Sequence, residues 1–244
     1  MIRLVRSELL KLRTTRLLLW IGLLILALAV LVISLNIGQD SISHLEEPSA
    51  QHGVVSFAAI SALVALIVGI LDSAGEYAHG TATQTFLVAP LRERVVAAKA
   101  LAVALTGLSL GVFAAAVTWG MAALWLLGRS VPVHLVSRGM LDLFLGVLAA
   151  AAIAGAIGVG FGSLVRRQTA AIVVALIWLL VGEPLLSVAS LQQYGPAHAI
   201  AAVVNAGSRS SELLAFGPGL ALSLAYAAVF CVLGAAAEKR SDVT

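Results

Sequence analysis

The chain of 244 residues is 61% hydrophobic and only 11% charged, with a formal net charge of +3. A soluble domain averages roughly 45–50% apolar and about 25% charged residues, so a soluble surface this poor in charge is excluded. The single cysteine, Cys231, sits in an apolar run without a partner, which rules out an intramolecular disulfide and a cysteine metal cage.

A spanning helix needs about 20 predominantly apolar residues. Six segments meet that requirement: Leu17–Ile37, Val54–Leu71, Ala100–Leu127, Met140–Val165, Ala170–Leu186 and Leu213–Ala237. Strand-type alternation is absent, which leaves helices as the spanning option. The expected fold is an all-α integral membrane bundle of six transmembrane helices, one transmembrane domain over residues 1–244.

Before the first span, Ile2, Val5, Leu9 and Leu12 share one helical face, with Arg3, Arg6, Lys11 and Arg13 mostly elsewhere. That spacing predicts an N-terminal amphipathic helix in the membrane interface. The apolar run behind it is too long for a signal-peptide core and no A-x-A-like site follows, so an uncleaved first span is expected.

Between spans two and three, Ser73 and Glu76 fit a capping box that would open a short helix as the chain leaves the membrane. Pro90 would stop that helix by Ala89. Phe86 and Leu87 then put apolar side chains at the tip of a polar connection, with Arg92 and Arg94 behind them. They form either a partner surface or a patch that packs back into the headgroups.

On span three Gly107, Gly111 and Ala115 recur every four residues, and on span four Ala150, Ala154, Gly158 and Gly162 do the same. Such stripes let helices approach closely in lipid, and packing within the chain is expected in preference to a subunit interface. Asp142 is expected to pair with Arg138, four residues before it. The fifth span carries Glu183-Pro184, where its outer half is expected to bend or unwind. An intramembrane carboxylate is by default a functional candidate, so Glu183 is the candidate for a substrate pathway, a bound proton or a hydrogen bond from a neighbouring helix; at a broken helix it would only face the outer interface. The run up to Ala206 has room for a further short helix.

Of the fifteen Lys and Arg residues, twelve fall on one side of the spans and three, Arg129, Arg138 and Arg209, on the other. The positive-inside rule then puts both termini in the cytoplasm. The basic residues are dispersed without interleaved aromatics, so no nucleic-acid partner is expected. There is no G-x-x-x-x-G-K-[ST] and no H-E-x-x-H, and the five histidines are scattered singly. No ATP site, no metal and no other cofactor is therefore expected in this chain.

Glu76, Gly80-Thr81, Leu87, Pro90, Arg94 and Lys99, at these spacings, resemble the first cytoplasmic loop of ABC-2-type permeases, the membrane subunits of ATP-binding-cassette transporters. The N-terminal SELLKLRTTR and the six-span layout resemble that family too. Glu76-Tyr77-Ala78-His79-Gly80 departs from the E-A-A loop of the importer permeases, which favours the bacterial exporter-like branch. The resemblance implies a transport subunit in the plasma (inner) membrane, not itself an enzyme. Its coupling helix, with Glu76, Gly80, Thr81, Phe86, Leu87, Arg92 and Arg94 as contact or positioning residues, would dock on a separate ATPase subunit that holds the ATP and Mg. A second permease subunit, identical or not, would complete the pathway for a hydrophobic or amphipathic substrate. Two rival readings are a proton-coupled carrier using Glu183 and a non-transporting membrane scaffold.

Overall fold

The computed structural model describes residues 1–78, 92–205 and 213–240. Among these residues the chain is helical with no strand. Eleven α-helices follow in order: α1 (Ile2–Thr14), α2 (Leu17–Gln39), α3 (Ile42–Leu45), α4 (Pro48–Val55), α5 (Ile60–Ala78), α6 (Arg92–Gly128), α7 (Arg138–Val165), α8 (Gln168–Ile177), α9 (Glu183–Val188), α10 (Pro196–Val204) and α11 (Phe216–Arg240).

Among the described residues six helical runs are long and apolar enough to cross a membrane: Leu17–Gln39, Pro48–Ala78, Arg92–Gly128, Arg138–Val165, Gln168–Val188 and Phe216–Lys239. The chain is thus a multi-pass membrane protein. Several runs overshoot the expected spans because helical hydrogen bonding does not stop where apolarity stops. α6 has 37 residues, about 55 Å at 1.5 Å per residue, well beyond the ~30 Å hydrocarbon layer. The second run starts at Pro48, six residues before the expected boundary at Val54, and tightens to a 3₁₀ turn over Ser56–Ala59 before α5.

α7 is the centre of the bundle and touches α5, α6, α10 and α11; α2 lies on α6, and α8 on α5. Its small residues explain that position. A side chain at Gly158 would strike the carbonyl of Leu66 on α5, and one at Gly69 would strike the backbone of Gly155 and Val159. The two backbones are therefore closer than any larger residue allows. Gly107 meets Ala151 in the same way, so the stripes on spans three and four are internal contacts. Gly160, not singled out in the sequence, gives α11 a similar approach at Phe230 and Cys231.

Three local expectations change. The fifth run does not unwind at Gly182-Glu183-Pro184: both Gly182 and Glu183 keep right-handed helical dihedrals, and a π-turn over Trp178–Gly182 leads directly into α9. A π-turn is a single widened turn within a continuous helix. Pro184 sits in the first turn of α9, where a missing N–H is tolerated. Arg138 and Asp142 form no ion pair among the described residues; a basic residue N-terminal to its acid is the weaker orientation on a helix. Lastly, α1 buries Glu8 and Leu12, while Ile2 stays 85% exposed, so the expected apolar face is split between protein and surroundings.

Candidate functional site

The charged residues described in this bundle gather at its two ends. At the α1 end, Asp72 and Glu76 stand one helical turn apart on α5, just after the apolar run ends at Leu71. Lys99 stands on α6 just before the apolar run begins at Ala100. Glu8 and Lys11 project from α1, one turn apart.

These five side chains meet. Lys99 Nζ lies 2.9 Å from Glu76 Oε1, 3.1 Å from Glu8 Oε2 and 3.4 Å from Asp72 Oδ2. Lys11 Nζ bridges Glu8 Oε1 at 2.8 Å and Glu76 Oε1 at 3.0 Å. Lys99 and Glu8 are 2% and 3% exposed, so this is a buried network and not a surface pair. Buried charges are tolerated only when paired and bonded, and here three carboxylates share two ammoniums. Burial by itself would pull the Lys11 ammonium down, but its bonds to Glu8 and Glu76 outweigh that and hold it above its ordinary value.

This overturns the capping-box expectation at Ser73 and Glu76. α5 runs unbroken through both residues to Ala78, so no helix starts there. A residue in mid-helix has no free N–H above it to cap. Ser73 Oγ instead hydrogen-bonds Ser163 Oγ of α7 at 2.6 Å, and Glu76 turns to the lysines. Its side chain is only 13% exposed.

Beside this network the end of α11 is held by two guanidiniums. Arg92 donates to the Glu238 carbonyl and Arg166 to the Ala237 carbonyl. Cations at a helix C-terminus satisfy orphan carbonyls and oppose the helix dipole. Glu93 pairs with Lys239, and Arg166 lies 5.5 Å above the Tyr77 ring. The described ends of α5 and α6 are therefore bridged to each other and to α1 through Lys99, and α6 is tied in addition to α11. Of the expected site residues, Glu76 and Arg92 enter these networks and Arg94 is exposed. Gly80, Thr81, Phe86 and Leu87 lie outside the described residues, as does the expected short helix ending by Ala89. Glu8 was missed as a site residue; its signal was a lone acid among the arginines of the N-terminal segment.

At the opposite end Glu183 is 2% exposed. Its Oε1 accepts the Ala197 N–H at 2.5 Å and its Oε2 meets His198 Nδ1 at 2.7 Å. Local sequence explains this arrangement. α10 has Gly195 at its N-cap, with no side chain to cap it, and Pro196 next, with no N–H. Ala197 supplies the first N–H that needs an acceptor, and a carboxylate from α9 provides it. A side chain on Gly195 would collide with that carboxylate. His198 Nε2 lies 2.6 Å from Gln192 Nε2, so an Nδ1-protonated ring satisfies both neighbours.

Glu183 thus acts as a cap supplied from another helix. Its replacement by Ala leaves the Ala197 N–H and His198 without their partner, which should lower stability by about 1–3 kcal/mol. Glu183→Gln, which keeps one acceptor, should lose less. Thermal unfolding of the purified protein checks both; equal melting temperatures for wild type and Glu183→Ala would sink the capping account.

An apolar groove of about 330 Å³ opens between α6 and α7, lined by Trp119, Leu135, Met140 and Phe144 among others. Glu183 does not line it. Among the described residues no cluster of His, Cys, Asp and Glu has the makings of a metal site. The string Gly107-Leu108-Ser109-Leu110-Gly111 fits the G-x-S-x-G pattern of esterases, but it lies in mid-α6 and Ser109 Oγ donates to the Thr106 carbonyl at 2.7 Å. The strand-to-helix elbow that exposes such a serine is missing there. No protein-family model matches the chain, and no curated protein does either.

Proposed function

We propose that this chain is the permease subunit of an ATP-binding-cassette transporter of the ABC-2 type, working with a separate ATPase subunit. The observation that carries the reading is the anchoring on either side of residues 79–91. Ion pairs through Glu76 and Lys99 tie the preceding and the following helix to α1, and Arg92 ties the following one also to α11. A force applied to the segment between those two helices would reach α1 and α11 through these ties, which is what a coupling element requires. The resemblance of residues 7–16 and 76–99 to that family points the same way.

In this reading the segment after Ala78 holds a short coupling helix. Phe86 and Leu87 make the apolar contact with the ATPase, Arg92 and Arg94 flank it, and Glu76 positions the helix from within without touching the partner. α1 is an interfacial helix, both termini are cytoplasmic, and the membrane is the plasma (inner) membrane. ATP and Mg are bound by the partner. Two permease subunits enclose the pathway, and the substrate is hydrophobic or amphipathic and exported. The rival carrier reading draws no support from Glu183, which is enclosed and already bonded to α10.

The test uses inverted membrane vesicles from cells expressing the chain with its candidate ATPase. Phe86→Asp combined with Leu87→Asp should abolish copurification of the ATPase and ATP-dependent uptake, while the permease still inserts. Full copurification and uptake in the double variant, or uptake driven by a proton gradient without ATP, would refute the proposal.

A further inference from the structure

We propose that the outward face of α1 is a binding surface for anionic phospholipid headgroups. The inference goes beyond the transport reading and needs only that the six apolar helices lie in a membrane.

The first observation is how α1 divides its charges. Its single acid, Glu8, is buried against Lys99 and Lys11. Arg3, Arg6 and Arg13 of α1, with Arg16 just after it, are exposed and make no side-chain bond or ion pair among the described residues. Of the cations elsewhere at this end, Lys99, Arg92, Arg166 and Lys239 are bonded to carboxylates or carbonyls, while Arg94 and Arg167 are exposed like those of α1. The exposed face of α1 is therefore positive without an internal counter-charge. Apolar side chains interleave with it, Ile2 at 85% and Leu10 at 54% exposure.

The second observation is the level at which α1 lies. Glu8, near its middle, is bonded to Lys99, the residue before one apolar run, and Lys99 in turn to Asp72, the residue after another. Its C-terminal end is separated from α2, a spanning helix, only by Thr15 and Arg16. Thr15 is extended, so α1 turns away from the axis of α2 and does not continue it. Both the middle and the end of α1 are thus fixed at the boundary where apolar sequence gives way to polar. A cationic face with apolar side chains at that level matches a layer of phosphates over acyl chains. Arginine suits phosphate because its planar fork makes paired hydrogen bonds.

The experiment titrates the full chain, in neutral detergent, with mixed micelles of phosphatidylcholine and phosphatidylglycerol and follows its melting temperature. Wild type should be stabilised by the anionic lipid and not by phosphatidylcholine alone. A basic residue near an anionic surface contributes about a fivefold gain in partition. Arg3→Gln, Arg6→Gln, Arg13→Gln and Arg16→Gln together should therefore raise the phosphatidylglycerol concentration at half-effect by at least about tenfold. The four Arg→Lys changes should keep most of the effect, and Arg138→Gln at the other end should leave it unchanged. If the fourfold Gln variant is unstable in neutral detergent, Arg3→Gln and Arg6→Gln singly carry the test. An unchanged midpoint in the Gln variants would overturn the proposal. So would an equal stabilisation by inorganic phosphate or by soluble heparin, which would mark a general anion site and not a lipid surface.

Discussion

Lys99→Met is expected to destabilise the protein by about 3–5 kcal/mol, the usual cost of removing one partner from a buried ion network. Lys99 is the only ammonium in contact with all three carboxylates, Glu8, Asp72 and Glu76. Without it Lys11 remains, but its side chain is 47% exposed and it reaches only Glu8 and Glu76. Three largely buried carboxylates would then be left with one half-exposed cation, within reach of two of them. α1 should detach first, because Glu8 is its main polar tie to the bundle. Protease digestion should accordingly clip the N-terminal segment of Lys99→Met faster than that of wild type, before the melting transition. The matching rescue removes the orphaned charges: adding Glu8→Gln, Asp72→Asn and Glu76→Gln to Lys99→Met should recover much of the lost stability, since a neutral buried set avoids the desolvation penalty. A single variant as stable and as protease-resistant as wild type would show that the network contributes nothing to the fold.

The second large effect is expected at the α5–α7 contact. Gly158→Val should cost at least about 1–3 kcal/mol, the range for overpacking a filled interior, because its new Cβ falls on the Leu66 carbonyl of the facing helix. A backbone carbonyl cannot rotate out of the way as a side-chain tip can. The helices would have to separate, and α5 and α7 would lose the close dispersion contact that holds helices together where lipid offers no hydrophobic gain. Gly69→Ala should behave alike from the other side, since its methyl meets the backbone of Gly155 and Val159. Gly120→Ala is the control, with nothing within 4 Å of the added methyl, and should unfold at the wild-type temperature. The measurement is thermal unfolding in detergent, with expression level as a second readout. Gly158→Val melting with the control would mean that the two helices are not in the close contact described here.

The amino-acid sequence alone determined that the chain is a multi-pass helical membrane protein, and six helices among the described residues are long and apolar enough to span. Membrane thickness and the need to satisfy every backbone N–H and C=O leave a long apolar segment no other structure. It also showed which residues are small enough to sit at helix contacts, since Gly158 and Gly107 recur with their neighbours at helical spacing. The tertiary structure decided which residues meet. Glu8, Asp72, Glu76 and Lys99 come from three separate helices, and their meeting depends on how each is rotated. α2, α6 and α11 are apolar nearly all round, so periodicity marks no inward face on them. Rotation is set instead by where glycines let backbones touch, as at Gly158 on Leu66. Glu183 shows the same division. Sequence placed a carboxylate in an apolar run, and only the packing of α10, whose own N-cap is a glycine, made that carboxylate a helix cap.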